Sequence, residues 1–163
     1  MRILKGLMFI MLALVVLALG IFAYFFATAK VTVERYDAQG VPASAYPEQF
    51  AQIQQQVAQQ TFEGTLFQTR VSGSADAYAF ITFTLEVNNQ CLVPIDMVEV
   101  QVVPDPSDVL QLGDREVHSL GVKTKGYINA TILTAKDSHS IRELILTYYV
   151  WGVSFSLRRT FGA

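Results

Sequence analysis

The sequence predicts an all-β protein: an immunoglobulin-like antiparallel β-sandwich of about seven strands, preceded by one N-terminal transmembrane helix and a short amphipathic helix. Three observations indicate this class. A long apolar run lies near the N-terminus, apolar and polar residues alternate over most of the chain after residue 61, and turn-forming residues interrupt the alternation roughly every 8–12 residues. The predicted boundaries are a transmembrane signal-anchor at 1–29, a juxtamembrane linker with the amphipathic helix at 30–61 and the β-sandwich domain at 62–163.

The first element is the run Leu7–Ala27, in which Gly20 is the one residue outside the apolar set. A helix needs about 20 such residues to cross a bilayer core of about 30 Å. Arg2 and Lys5 precede the run and favour a cytoplasmic N-terminus by the positive-inside rule, so we expect a single-pass protein of the cell membrane with its C-terminal domain extracytoplasmic. The alternative is a signal peptide cleaved after Ala29, although the apolar region of a signal peptide is usually about 7–15 residues long.

Small residues recur along this helix. Gly6, Ala13, Gly20 and Ala27 are spaced by seven positions, and Ala23 lies on the same stripe. Small side chains let two helices in lipid approach closely, which is the main source of their attraction there. We therefore expect this stripe to pack against a second transmembrane helix, from another copy or from a partner, and the alternative is a helix that serves only as an anchor.

The segment after the membrane helix predicts a linker and then a helix. Asp37–Tyr46 contains glycine, proline and serine and predicts a linker or loop. Pro47 suits the first turn of a helix of about 13 residues. Phe50, Ile53 and Val57 form its apolar stripe, and glutamines cover the opposite face. Because so short a helix is unstable alone in water, its stripe should pack on the domain, the alternative being a disordered glutamine-rich spacer.

The remaining chain has the period of two that is typical of strands. Ile81, Phe83 and Leu85 share the apolar side of the clearest strand and should lie in the core. Trp151-Gly152 forms the turn of the clearest hairpin. The predicted strands are Phe62–Arg70, Asp76–Val87, Ile95–Val103, Glu116–Leu120, Gly126–Thr134, Arg142–Tyr149 and Val153–Phe161.

One stretch carries a family resemblance. Leu85–Ile95 reads as a strand that ends in the turn Asn88-Asn89-Gln90, with Pro94-Ile95 opening the next strand. This pattern resembles the late-embryogenesis-abundant, water-stress-response type of β-sandwich, which has Asn-Pro-Asn at the turn. The resemblance implies a fibronectin-like fold, no catalytic residues and a binding or stabilising role.

Aromatic residues crowd the final hairpin. Tyr148, Tyr149, Trp151, Phe155 and Phe161 lie there, and strand alternation prevents all of them from facing one core. We expect both faces of the hairpin to be covered within the molecule, one by the second sheet and one by the glutamine-rich helix. The alternative is that Tyr149, Trp151 and Phe161 form an exposed patch that binds a protein partner.

The sequence favours no catalytic or cofactor chemistry. Asp137-Ser138-His139-Ser140 has the residue types of a hydrolase triad, but neighbours in a turn point apart. Cys91 is the one cysteine, so we expect a small buried hydrophobic residue there. The two histidines and Cys91 lie too far apart in the chain to predict a metal site. Glycine-rich phosphate loops are missing, and a net charge of −2 without a basic patch argues against nucleic acid.

These observations predict a non-enzymatic protein. The leading hypothesis is a membrane-anchored extracytoplasmic binding or scaffolding protein. The alternative is a small accessory subunit of a membrane complex, recruited through its transmembrane helix. An envelope hydrolase is the third and least favoured hypothesis.

Overall fold

The computed structural model describes residues 2–114 and 116–161, with side chains from residue 5 onward. Two α-helices are present in this part of the chain, α1 (Arg2–Ala27) and α2 (Pro47–Ala58). The strands are β1 (Val31–Pro42), β2 (Gly64–Leu66), β3 (Tyr78–Asn89), β4 (Ile95–Val102), β5 (Asp108–Leu112), β6 (His118–Leu120), β7 (Lys125–Ala135), β8 (Arg142–Val150) and β9 (Val153–Phe161).

The strands form two antiparallel sheets. The five-stranded sheet has the order β1-β3-β7-β5-β2, and the four-stranded sheet has the order β6-β4-β8-β9. Side chains from both sheets meet in one apolar core, so we call the two sheets together the sandwich. The prediction of a mostly β protein with an N-terminal apolar helix and a short second helix is confirmed at this level.

Alternation in β3 and β8 builds the main core. Phe83 and Leu85 of β3 are fully buried, as the sequence predicted, and Ile81 is 4% exposed. From the opposite sheet, Leu144 and Leu146 of β8 complete the contact. Successive side chains of a strand point to opposite faces, so an apolar residue at every second position gives each sheet one apolar face.

The amphipathic helix α2 packs as the sequence predicted. Its stripe, Phe50, Ile53 and Val57, is buried in a second apolar cluster with Phe80 and Leu133 of the five-stranded sheet. The glutamine face also helps to hold the helix on the domain, because the side-chain amide of Gln54 donates to the carbonyl oxygens of Val71 and Gly73 in the loop before β3.

The linker predicted over Asp37–Tyr46 is wrong as far as Pro42. Strand β1 pairs with β3 along its whole length, from Val31 opposite Asn89 to Pro42 opposite Ala79. As the edge strand of its sheet, β1 is mostly half-exposed and lacks a clean apolar alternation. Proline cannot donate a hydrogen bond to a ladder and is therefore confined to positions such as the end of an edge strand, where Pro42 lies.

Strand β5, which the sequence did not predict, begins at Asp108, directly after the acidic turn. Four of its five residues are buried, including Asp108 and Gln111, so no alternation marks it in the sequence. The strand predicted over Phe62–Arg70 extends only over β2. There Gly64 adopts φ +150° and lies against the backbone of Gln111, where a Cβ atom would collide.

The sandwich has two distinct ends. Strand β1 begins beside the end of α1, and strand pairing brings the loops 90–94, 121–124 and 151–152 to that same end, which we call the proximal end. The loops 103–107 and 136–141 lie at the opposite end, which we call the distal end.

Candidate functional site: the junction between the apolar helix and the sandwich

Five aromatic rings join α1 to the β8–β9 hairpin, and we call them the junction. Trp151 stacks on Phe22 with ring centroids 5.3 Å apart, and it meets Phe25 and Phe26 edge-on at 5.5 and 6.0 Å. Phe155 of β9 stacks on Phe26 at 5.9 Å. Aromatic pairs in these geometries contribute about 0.5–1.5 kcal/mol each beyond their area burial.

The turn of the hairpin places the indole on the helix. Trp151 and Gly152 have φ values of +48° and +78°, between Val150 and Val153, which pair with each other. Two-residue hairpins of this kind favour Asn-Gly, because both central residues need positive φ. A tryptophan in the first position costs about 1–2 kcal/mol of backbone strain. The strain is offset by the contacts that its ring makes with α1.

The junction continues into the core of the sandwich. Phe155 stacks on Tyr148 with ring centroids 5.6 Å apart, and Tyr148 is 7% exposed. Burial raises the pKa of the Tyr148 hydroxyl, which favours its neutral form. Phe25 and Ala29 also pack against the main core. The end of the helix is therefore attached to the same apolar cluster that holds the two sheets together.

Only residues 28–30 separate α1 from β1. The amide of Thr28 donates to Tyr24 O at 3.0 Å, and the amide of Ala29 donates to Phe26 O at 3.2 Å. Lys30 O then accepts from the amide of Gln90 at 2.9 Å, which is already a contact with the sandwich. The connection is short and ordered, because each of its three residues takes part in a backbone hydrogen bond.

A buried asparagine organises the proximal end below the junction. Asn89 is fully buried, and its amide nitrogen donates to the carbonyl oxygens of Val93, Leu120 and Gly121 at 3.0, 3.2 and 2.8 Å. Its side-chain oxygen accepts from the amide of Cys91 at 2.9 Å. Asn89 thus ties two loops, 90–94 and 121–124, together across both sheets. The sequence showed an asparagine-rich turn here but gave no sign of which asparagine is buried.

The three residues predicted as a partner surface do not form one patch. Trp151 belongs to the junction, although it remains 49% exposed. Phe161 lies at the distal side of β9 and stacks on Tyr36 of β1 at 4.6 Å. Tyr149 points to the outer side of the four-stranded sheet.

Tyr149 lines an open groove of about 420 Å³ on the side of the sandwich. Met97, Glu99 and Thr65 line the same groove, together with His118, whose Nε2 lies 2.6 Å from an Asp114 carboxylate oxygen. The groove runs between β2 and β6, which are the edge strands of the two sheets on this side. Its mixed apolar and polar lining suits a protein segment.

The small residues predicted to pack against another helix lie on a free face of α1. Ala13, Gly20, Ala23 and Ala27 are all exposed, and a Cβ atom added to Gly20 would meet open space. At about 100° per residue, Gly20 and Ala13 lie on the side of the helix opposite Phe22. The junction therefore occupies one face of α1 and leaves the small-residue face open.

Two of the residues with hydrolase-triad chemistry, Ser138 and His139, contact a buried ion pair at the distal end. Arg142 binds Asp108 through two hydrogen bonds of 2.7 and 2.6 Å, and both side chains are almost completely buried. Ser138 Oγ accepts from Arg142 at 2.8 Å, and His139 Nδ1 lies 3.1 Å from the same guanidinium. The Ser138 hydroxyl also lies 2.9 Å from the Ser107 hydroxyl and donates to the backbone carbonyl of His139, whereas the His139 imidazole faces Arg142. This arrangement orients an arginine and does not align a base with a nucleophile.

The other candidate ligands are dispersed. Cys91 is a free thiol buried among apolar residues, as expected. Within residues 2–114 and 116–161, no three side chains of His, Cys, Asp or Glu come together in a way that could hold a metal ion.

The fold and the junction define the class of the molecule, which is two antiparallel β-sheets joined to an apolar helix. The segment Lys5–Ala27 of α1 has a mean hydropathy of 2.8 and is long and apolar enough to span a membrane. Compared with known proteins, the chain matches no family model, no curated protein and no solved structure. Its function is therefore argued from its own geometry.

Proposed function

We propose that this protein is a single-pass membrane protein with a cytoplasmic N-terminus, whose extracytoplasmic, immunoglobulin-like sandwich binds or scaffolds another component of the cell envelope. The junction carries the proposal. A signal peptide leaves the mature chain, and the strained Trp151 would then have no ring to stack on. A retained helix explains both the strain and the stacking.

The junction also supports a scaffolding role. A domain on a flexible tether samples all orientations. This sandwich is instead held to α1 by a three-residue connection and by the stacking of Trp151 and Phe155 on aromatic rings of the helix. The Tyr149 groove would then face sideways at a fixed height above the bilayer. A partner bound there is held close to the membrane, which suits another membrane protein or its juxtamembrane segment.

A helix exchange tests the binding role. Residues 7–21 are replaced by an unrelated apolar segment, while Phe22–Ala27 stay so that the junction is intact. A photo-crosslinking residue is placed at position 149, and a control carries it at Tyr127, which is 63% exposed on the other sheet. We expect one discrete crosslinked partner from position 149, before and after the exchange, and none from position 127. Equal crosslinking from both positions contradicts a binding groove.

A second candidate function is an accessory subunit recruited through α1, and the open small-residue face favours it. Gly20→Ile and Ala13→Ile would block close approach of another helix without lowering hydrophobicity. For this candidate, co-purification of the complex falls with these variants and not with the controls Leu12→Ile and Val16→Ile. Loss of the partner upon exchange of residues 7–21 would likewise favour this candidate over the groove.

The topology has its own test. Protease added to cells without their wall or outer membrane should remove the sandwich and leave a membrane-bound fragment. A soluble mature protein that begins at Lys30 would contradict the retained anchor.

A further inference from the structure

Large apolar side chains are exposed at the tips of three proximal loops. Leu92 is 46% exposed in the β3–β4 loop, and Val122 is 46% exposed in the β6–β7 loop. Trp151 is 49% exposed at the β8–β9 turn, where Val153 follows at 46%. Exposed apolar residues gathered at one end of a domain mark a surface for a partner or a membrane.

Hydrogen bonds join the β3–β4 and β6–β7 loops to each other, and ring contacts of Trp151 hold the β8–β9 turn against α1, so that we call the three loops together the platform. The Lys123 ammonium donates to Gln90 O, which joins the β6–β7 loop to the β3–β4 loop. Asn89 binds carbonyl groups of both loops. The amide of Gln90 donates to Lys30 O, which joins the platform to the helix connection.

The charges of the platform are few and of one sign. Residues 28–30, 90–94, 121–124 and 151–153 contain two charged side chains, Lys30 and Lys123, and no carboxylate. Lysines can extend their ammonium groups to lipid headgroups while their stems stay in apolar surroundings. The distal loops 103–107 and 136–141, in contrast, contain Asp105 and Asp137.

The junction sets the depth of the platform. Trp151 stacks on Phe22, which precedes the last residue of α1 by five positions. At 1.5 Å per residue, that position lies about 7–8 Å before the end of the helix. The headgroup layer on each side of a bilayer is about 5–8 Å thick. The hairpin tip therefore lies beside the part of the span that crosses this layer, where tryptophan is enriched in membrane proteins.

We propose that the proximal end of the sandwich is itself a lipid-binding surface, with Leu92, Val122 and Trp151 inserted into the interfacial layer of the bilayer that α1 spans. The proposal rests on the proposed membrane insertion of α1, because that helix brings the lipid to the platform. The sandwich would then rest on the membrane at four places, the helix and the three loops, and would not pivot.

The single tryptophan of the chain permits a direct test. Full-length protein is reconstituted into phosphatidylcholine vesicles, and Trp151 is first measured unchanged. Two further proteins carry Trp151→Phe with Leu92→Trp or with Val122→Trp. The control carries Trp151→Phe with Ile141→Trp, a site that is 41% exposed at the distal end. Each tryptophan is quenched from water by iodide and from the bilayer by lipids with brominated acyl chains.

Positions 92 and 122 decide the result, because Trp151 is partly shielded by α1 itself. We expect tryptophan at 92 and 122 to be quenched by brominated lipid and to be at least threefold less accessible to iodide than tryptophan at 141. Iodide quenching at 92 and 122 equal to that at 141, with no effect of brominated lipid, overturns the proposal while leaving the anchor intact. Failure of the full-length protein to float with the vesicles overturns both.

Discussion

The two ends of the sandwich are closed by different chemistry. At the proximal end, the neutral amide of Asn89 links β3 to the β6 end through backbone carbonyl groups. At the distal end, the buried ion pair of Arg142 and Asp108 links β8 to β5. Each device joins the two sheets, and each has all of its polar atoms paired among the described residues.

The difference fits the membrane position that we propose for the proximal end. Near a bilayer, a charge without a partner is costly, whereas an amide satisfied by the backbone carries no net charge. A buried ion pair costs several kcal/mol of desolvation per ion and needs good geometry together with further hydrogen bonds. Arg142 has these, because its guanidinium also donates to the carbonyls of His139 and Ile141 at 2.9 and 2.7 Å. The comparison predicts that removing one partner lowers the free energy of unfolding more at the distal end than at the proximal end.

The largest effect should follow from Arg142→Ala. The carboxylate of Asp108 would remain fully buried without its partner, which costs about 3–5 kcal/mol. The measurement is urea unfolding of the detergent-solubilised full chain, followed by circular dichroism. The matched control is Arg158→Ala, whose exposed pair with Glu143 should contribute no more than about 1 kcal/mol. Equal losses for the two variants would mean that the distal pair does not close the sandwich.

A smaller loss is expected for Asn89→Ala. The variant leaves the carbonyls of Val93, Leu120 and Gly121 without their donor, at a cost of about 1–3 kcal/mol. Hydrogen exchange should rise first in the loops 90–94 and 121–124. The control Asn129→Ala removes an exposed asparagine of β7 and should change stability by less than about 0.5 kcal/mol. An increase in exchange that appears first at the distal loops would contradict the assignment of Asn89.

Trp151→Asn should separate the junction from the stability of the sandwich. Asparagine tolerates the positive φ of position 151, so the turn is kept and its strain is relieved. The stacking on Phe22 is lost, so exchange at the end of α1 should rise while the unfolding midpoint stays the same or increases. A lower midpoint would mean that the rings, rather than the main core, hold the hairpin in place.

The smallest effect concerns acid. The pKa of Asp105 at the distal end lies below its ordinary value of 3.8, first because the Ser107 amide donates to it and then because the Ser107 hydroxyl does. The stabilisation is therefore complete above pH 3.8 and is lost as the pH falls through the lowered pKa. Ser107→Ala keeps the amide and removes the hydroxyl, so the pKa of Asp105 should rise part of the way. Carboxyl carbon NMR measures it, and an unchanged pKa would show that the hydroxyl contributes nothing.

Regular patterns in the sequence predicted the parts of the fold that depend on local period. The alternation around Phe83 and the stripe from Phe50 to Val57 are each set by one apolar face, and both are buried as expected. Strand β5 has no such face, because Val109 and Leu110 pack in the cluster with α2 while Gln111 forms hydrogen bonds with β4 of the other sheet. Its buried Asp108 looks like a turn residue until Arg142, 34 positions later, is known to be its partner.

The candidate site was predicted only in composition. The sequence indicated that Trp151 and its neighbours could not all be internal, and it predicted the membrane helix and the hairpin separately. It could not indicate that Phe22 meets Trp151, because no period or motif links positions so far apart. The burial of Asn89 among backbone carbonyls was likewise hidden, since a turn asparagine is usually exposed.

The strand order of the larger sheet also dictates when the chain can fold. β1 and β3 can pair early, but β2 needs β5, β5 needs β7, and β7 ends at Ala135. A two-stranded ladder is marginal in water, so little of the domain is stable before most of the chain has been made. In the proposed topology, the helix would reach the bilayer during synthesis ahead of any folded β-structure. The remaining chain would stay extended enough to cross a narrow translocation channel, and the two sheets would form after the last strands have passed through.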